Sequence, residues 1–324
     1  MNISSMKGKR VLVTGADGFI GSHLTERLVS MGADVSVLIR WTSDSAPKPA
    51  LRNIPHLADK IRIITGNIAN SDVINLIIKD SPQVIFHLAA DAYVPNSFEH
   101  PIDVMETNLI GTLNVLHAAM ALKDIEQIVC TSSSEVYGTP KYVPIDEDHP
   151  LNPAHPYGAS KAAADRYAYA YWNTYHLPIA IIRPFNTYGP RHTYDVIPKF
   201  IKLALQNKEL TIHGDGLQTR DFIYVDDMVD AFLLMGSDKR AIGEVVNFGT
   251  GKETTVNKLT SKIVAISNSK SKIVHIPERT SEVARLCCNY SKAKKLFDWE
   301  PKVSLDDGLR KNIDWERRAG HDRN

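Results

Sequence analysis

Cysteine is scarce in this chain: Cys130, Cys287 and Cys288 are the only three in 324 residues. Their spacing makes neither a paired ligand step nor a disulfide framework, so a cystine-stapled secreted domain is excluded and a reducing compartment is the expectation. Charge of one sign is also missing. Thirty-eight Lys and Arg face 37 Asp and Glu, which leaves no electrostatic footprint for nucleic acid. No apolar run approaches membrane-spanning length, and residues 1–10 carry no apolar core of a signal peptide. A cytoplasmic protein with neither nucleic-acid nor membrane partner is expected. His155, His192 and His213 are scattered, so no metal site is expected either.

What the chain does have is an alternation. Short apolar runs at Arg10–Thr14, Val35–Ile39, Ile61–Thr65, Val84–Leu88, Ile125–Thr131 and Ile179–Arg183 read as buried strands. Helical patterns fill the gaps at Phe19–Met31 and roughly 71–80, 101–122 and 157–176. This order predicts an α/β fold: a doubly wound parallel sheet covered by helices on both faces, binding its ligand beyond the carboxyl strand ends. After about residue 185 loops lengthen and Pro and Gly cluster. The expected organisation is a dinucleotide-binding domain over 7–185, a return of the chain to the sheet near 221–248, and a smaller C-terminal substrate-binding domain over 186–324.

The first strand runs into Gly15-Ala16-Asp17-Gly18-Phe19-Ile20-Gly21 and then a helix. Glycines at this spacing allow a tight turn, close approach of backbone to a pyrophosphate, and close packing of helix on strand. The helix N-terminus adds free N–H groups and partial positive charge. The bland alternative is a Gly-rich turn that packs for its own sake; the strand–turn–helix context favours a dinucleotide. At the end of the second strand a carboxylate would signal NAD. The chain instead has Arg40, with Thr42 and Ser43 close behind. A 2′-phosphate suits them, so NADP is preferred over NAD, unless Arg40 stacks on adenine or points to water. Asn67, after the third strand, is placed to accept from an adenine amino group.

Tyr157 and Lys161 are four residues apart at the head of a helix and so share one face. A phenol with a reference pKa of about 10 is a poor base at neutral pH. A neighbouring ammonium favours the phenolate, which suits proton removal from an alcohol as hydride leaves the same carbon. Alone, this pair arises by chance in any helix rich in Tyr and Lys. The fifth strand ends in Ser132-Ser133-Ser134-Glu135, facing the same crevice. A Ser there can bind the hydroxyl being oxidised, and a Glu can act as acid or base at a neighbouring carbon; simple loop capping explains the serines equally well. Tyr167, Tyr169, Tyr171, Trp172 and Tyr175 are expected to pack against a helix or a second subunit, His87 to line the cofactor cleft, and Glu147 and Asp148 to lie in a solvated loop.

Taken together, these motifs resemble the extended short-chain dehydrogenase/reductases of the nucleotide-sugar epimerase/dehydratase family. The likeness spans nearly the whole chain. It rests on the Thr14–Gly21 loop, His87-Leu88-Ala89-Ala90, Asn108 to Thr112, the Ser133 cluster, Tyr157 with Lys161, Arg183 to Pro190, Gly214-Asp215-Gly216 and Thr219 to Asp227. The resemblance implies NAD(P), with Ile68, Leu88, Ala89 and Ala90 joining the cofactor residues. It implies that Ser133 binds the sugar O4, that Tyr157 is the base, and that Lys161 holds the nicotinamide ribose and tunes Tyr157. It further implies a nucleotide-diphosphate sugar held by Asn186, Val196, Phe200, Arg220 and Arg279, and a homodimer built on the helices near 101–122 and 157–176.

Reactions in that family begin with hydride leaving C4. A 4-epimerase only rotates the keto sugar and returns the hydride; a 4,6-dehydratase removes the C5 proton, expels the C6 hydroxyl and returns the hydride to C6. The second course needs a carboxylate near C5, and Glu135, preceded by Ser134, matches that position. The expected function is therefore nucleotide-sugar 4,6-dehydratase, with 4-epimerase the first alternative. UDP-glucuronate decarboxylase and 4-keto-6-deoxy-sugar reductase follow; Leu286, where decarboxylases carry Arg, argues against the former. Arg40 and the Arg279-x-x-Glu282-Val283 register resemble GDP-mannose dehydratases, whereas Phe185 to Pro190 is closer to UDP- and dTDP-sugar enzymes, so the nucleotide is left open.

Overall fold

The computed structural model describes residues 6–40, 51–278 and 283–321. Thr42, Ser43, Arg279 and Glu282 lie outside the described residues. In chain order the elements are β1 (Arg10–Thr14), α1 (Phe19–Ser30), β2 (Asp34–Ile39), β3 (Arg62–Thr65), α2 (Asp72–Asp80), β4 (Val84–His87), α3 (Asn96–Glu99), α4 (Pro101–Met105), α5 (Gly111–Met120), β5 (Gln127–Thr131) and α6 (Pro156–Tyr175). There follow β6 (Ile179–Pro184), β7 (Asn186–Tyr188), α7 (Val196–Leu205), β8 (Leu210–His213), β9 (Thr219–Arg220), β10 (Phe222–Tyr224), α8 (Val225–Ser237) and β11 (Val245–Phe248). The last are β12 (Thr254–Thr255), α9 (Val256–Ser267), β13 (Ile273–Ile276), α10 (Ser291–Phe297) and α11 (Leu305–His321).

Seven strands form one sheet in the order β11-β6-β5-β4-β1-β2-β3, and every pairing is parallel. Side chains alternate across each strand. Val11 and Val13 of β1 therefore join the core beneath α1 and α8, while Leu12 joins the one beneath α2, α5 and α6. The sheet order reverses between β1 and β4, and in such sheets the ligand crevice opens beyond the strand ends at that reversal. Further along the chain, α8 packs on α1, β5 and β6, and β11 pairs with β6. The remaining C-terminal elements pair as β10 with β7, β12 with β9 and β13 with β8. Among the described residues no helix is long and apolar enough to cross a membrane.

The helix expected over 101–122 is not continuous. Between α4 and α5 the chain makes a π-helical turn at Glu106–Ile110. Such wide turns recur at functional sites. Asn108 lies in this one and is 1% exposed. Its amide accepts from Asp91 N at 2.8 Å and donates to the Asp91 carbonyl at 3.1 Å and to Ser160 Oγ at 3.0 Å. The turn thereby fixes the loop after β4 and clamps it to α6.

Under α6 lies a buried polar strut. Arg183 in β6 donates to both Asp165 oxygens, at 2.8 and 3.1 Å, and to Tyr137 Oη at 2.8 Å. Tyr137 in turn donates to Asn247 Oδ1 at 2.7 Å. Burial raises the Asp165 carboxyl, but the Arg183 guanidinium outweighs it and holds the group below its usual range. Glu147 belongs to this strut rather than to a solvated loop. Its Oε1 accepts from Asn247 N at 2.7 Å, and burial raises its pKa.

Candidate active site

At the reversal point Gly15 has φ +71°, and a Cβ there would sit 2.8 Å from Ala89 N. A side chain would meet backbone, so the turn after β1 can touch the end of β4 only with glycine here. His87 does not line the cleft: it is 2% exposed and bridges three elements. Thr112 Oγ1 donates to the Asn108 carbonyl at 2.6 Å, so its lone pairs take the proton of His87 Nε2 at 3.0 Å. His87 Nδ1 then accepts from Thr14 Oγ1 at 2.8 Å, and Thr14 accepts from Ala89 N at 3.1 Å. Burial keeps this imidazole neutral, with its pKa lowered to about 3.

Around the turn, Asp17 is fully engaged in holding its own surroundings. Its two oxygens accept from Arg52 N at 2.8 Å and Asn53 N at 2.7 Å. Phe19 stacks on His192 with ring centroids 4.5 Å apart, and Ile20 packs against the core beside it. Gly21 lies against Gly15, whose carbonyl a Cβ would meet at 2.1 Å, and Gly18 N donates to that same carbonyl at 3.0 Å. Arg40 is exposed at the end of β2, and Asn67 is exposed with Oδ1 accepting from Ala69 N at 3.2 Å. Ile68 is buried against α5, and its carbonyl accepts from Asn114 at 2.9 Å. Leu88, Ala89 and Ala90 are half-buried along the loop after β4.

The residues after β5 and the head of α6 meet one another. Ser133 is the N-cap of the short turn Ser134–Val136, accepting from Glu135 N at 3.2 Å, and it also hydrogen-bonds the Tyr157 hydroxyl. It therefore both caps this turn and touches the Tyr157 phenol. Ser134 is buried beside it. Tyr157 and Lys161 are buried at 8% and 3% exposure on one face of α6. Burial pushes the phenol up to about 12, the Ser133 bond pulls against this, and Glu135, Asp195 and Asp91 add to the rise. Burial lowers the Lys161 ammonium to about 8. Its Nζ donates to the Thr131 carbonyl. Burial outweighs every other influence on the phenol here, and the Lys161 ammonium is engaged by the Thr131 carbonyl.

Asn186 Oδ1 and Thr131 Oγ1 are buried with no hydrogen-bond partner among the described residues, whereas Ser132 hydrogen-bonds the Asp165 carboxylate of the strut under α6. Buried polar atoms are normally paired, so these two, at the end of β5 and the start of β7, are open to a polar partner. Val196 opens α7 half-buried, while Phe200 is 3% exposed in the core. Arg220 Nη1 donates to the Val283 carbonyl at 2.7 Å and the Thr219 carbonyl at 2.9 Å.

The family described as GDP-mannose 4,6 dehydratase matches residues 12–312. The chain belongs to the nucleotide-sugar epimerase/dehydratase family of extended short-chain dehydrogenase/reductases. Within this family its relatives divide by reaction. UDP-glucose 4-epimerase of Mycolicibacterium smegmatis is 36% identical over 313 residues, 95% of this chain and 98% of that protein. The structure of UDP-glucose 4-epimerase with UDP-glucose from Thermotoga maritima aligns with a TM-score of 0.87 at 32% identity, covering 96% and 99% of the two chains. That of dTDP-glucose 4,6-dehydratase in complex with NAD from Bacillus anthracis aligns with a TM-score of 0.86 at 31% identity, covering 97% and 98%. Epimerase and dehydratase stand equally near.

Several groups at this epimerase/dehydratase site were not singled out from the sequence. Asp91 and Asp195 flank Tyr157 closely enough to raise its pKa. Asp195 does so from a left-handed backbone, φ +73°, as the N-cap of α7. His155, read only as one of several scattered histidines, caps α6 and contacts Glu135 at 3.2 Å. Nothing local in the sequence marks Asp91 or Asp195; tertiary packing brings them near Tyr157. Apart from spacing, the one usable signal was position, since His155 directly precedes a Pro at a helix start.

Proposed function

We propose that this protein is a nucleotide-sugar 4,6-dehydratase that uses a bound nicotinamide dinucleotide. The single observation that carries this is Glu135: a partly buried carboxylate, 16% exposed at its side chain, standing beside Ser133 and Tyr157. Oxidation and reduction at C4 alone need the Tyr157 base and the Ser133 hydroxyl; a further carboxylate in the same cluster supplies the base that C5 needs. The residues present fit a dinucleotide. Gly15 clears the approach over the strand ends, and the buried Lys161 ammonium donates to the Thr131 carbonyl and keeps donors to spare for ribose hydroxyls. When bound, the dinucleotide supplies the hydride acceptor and donor. The chain's own residues do the rest. Ser133 holds the C4 hydroxyl and Tyr157 takes its proton. Glu135 then takes the C5 proton, made acidic by the C4 carbonyl, and a proton passes to O6 as water leaves; with the hydride given back at C6, Glu135 would return a proton to C5, which closes the reaction as a net loss of one water.

Arg40 at the end of β2 supports NADP, while the NAD-bound dehydratase relative supports NAD; mass spectrometry of cofactor released on denaturation separates them. The substrate is a nucleotide-diphosphate sugar, bound between the dinucleotide domain over 7–185 and the smaller segment over 186–324. Asn186, Val196, Phe200, Arg220 and Arg279 are its proposed contacts, and Ile68, Leu88, Ala89 and Ala90 line the cofactor. A homodimer is proposed from the exposed Phe98, Ile102, Met120 and Tyr167 on the α3–α6 face. The reaction is tested by incubating the protein with UDP-, dTDP- and GDP-hexoses. A product lighter by one water and carrying a 4-keto group is expected. Inversion at C4 without water loss would instead support the 4-epimerase reading, which the near relatives keep open.

A further inference from the structure

From the geometry around Glu135 we infer that His155 is a positioning residue that fixes this carboxylate for the C5 proton. The inference rests on the dehydratase reading above.

His155 is the N-cap of α6, with φ −152° and ψ 164°, and its side chain accepts from a backbone N–H. The acceptor is Nδ1, 3.1 Å from Gly158 N. An amide N–H can only donate, so Nδ1 carries a lone pair and, in the neutral ring, the proton sits on Nε2. Nε2 is 3.2 Å from Glu135 Oε2. A helix cap therefore selects the tautomer that donates to the carboxylate. Few side chains can do both: Ser, Thr, Asp and Asn cap but are too short to reach on with a second donor.

The ring is held in place on other sides as well. It lies near-parallel to Tyr157, centroids 6.0 Å apart, and Phe98 meets it at 65°. The side chain is 5% exposed. Its distance to Glu135 is set by Gly158, where a Cβ would stand 2.8 Å from the Glu135 carbonyl oxygen. The missing side chain lets the first turn of α6 rest directly on the Glu135 segment. Ser133 holds the Glu135 backbone from the other side, through Glu135 N at 3.2 Å. Backbone and one carboxylate oxygen are thereby fixed, and Oε1 has no hydrogen bond among the described residues. With Oε2 occupied by His155, Oε1 is the atom that takes the C5 proton. Ser134, the residue before Glu135, offers no carboxylate of its own, so this one oxygen carries the proton transfer.

Two substitutions separate capping from positioning. His155→Asn keeps an acceptor where Nδ1 stands but removes the Nε2 donor. His155→Gln keeps a donor amide at the reach of Nε2. The holoenzymes are compared for two rates in deuterated water: reduction of bound cofactor on mixing with the nucleotide sugar, and deuterium entry at C5. His155→Asn is expected to keep its melting temperature and its rate of cofactor reduction, while C5 exchange falls ~10–100-fold, the size of effect of losing one charge-assisted hydrogen bond at the reacting group. His155→Gln is expected to recover most of that loss. If C5 exchange in His155→Asn keeps pace with cofactor reduction, the inference is overturned while the Glu135 reading stands. If both rates fall together with melting temperature, His155 is a helix cap only and the inference is overturned again. Wild-type protein that reduces its cofactor yet exchanges nothing at C5 overturns the Glu135 reading and this inference with it.

Discussion

At the scale of single residues, the site is a cluster of groups displaced from their solution behaviour by burial. Tyr157, pushed up to about 12, is protonated at rest and must give up its proton only when a cation or hydride transfer favours it. Replacing it with Phe should lower turnover by about 10²–10⁴-fold, the range for loss of a positioned acid–base group. Sugar binding should change little, since the ring stays; equilibrium titration beside steady-state kinetics checks this. His87 gives a stability effect with a definite sign. Its folded pKa, about 3, lies below the 6.5 of an unfolded chain. Above pH 6.5 both states are neutral and nothing is lost. As pH falls from 6.5 toward 3 the unfolded chain alone takes the proton, so stability drops by up to about 1.4 kcal/mol per pH unit. Thermal melts across that window should show this slope, and His87→Gln should flatten it while lowering stability throughout. Both residues were visible in the sequence, but their states were not. A Tyr and a Lys four apart predict proximity on a helix; which neighbour the ammonium chooses depends on the Thr131 carbonyl, which belongs to another element.

At the scale of elements, the strands and long helices were legible because their apolar periods are local. Each expected strand lies within about two residues of the one observed, as for Ile179–Arg183 against Ile179–Pro184. The π turn at Glu106–Ile110 was not, since its residues have ordinary helical preferences. Nor was the role of Glu147, which depends on β11 arriving beside it some hundred residues later in the chain. The Arg183 strut joins β6, α6, the Tyr137 segment and β11 through non-local bonds of this kind. Arg183→Ala would leave Asp165 a buried carboxylate held only by Ser132 and the flanking, half-exposed Arg166. The expected cost is about 3–5 kcal/mol, read as a large fall in the denaturant midpoint. An effect under 1 kcal/mol would mean that the strut is solvated.

For the whole molecule, motif order along the chain predicted a doubly wound parallel sheet and the glycine turn after its first strand, while the strand order, with its reversal between β1 and β4, is seen only in the structure. What decides between reactions is finer than the fold, as the equally near epimerase and dehydratase relatives show. Assembly is also a whole-molecule property. The apolar side chains left open at Phe98, Ile102, Met120 and Tyr167 predict a dimer in sedimentation velocity, and charged substitutions at Ile102 and Tyr167 should shift it to monomer. The central claim, however, is that Glu135 converts a shared C4 oxidation into dehydration. Its most direct test is turnover of a nucleotide hexose in deuterated water by the wild-type protein and by Glu135→Gln. Deuterium at C5 of a 4-keto-6-deoxy product is predicted for the first. Glu135→Gln should still reduce its cofactor but slow C5 exchange by about 10²–10⁴-fold. A C4-inverted sugar with ordinary hydrogen at C5 would contradict the account.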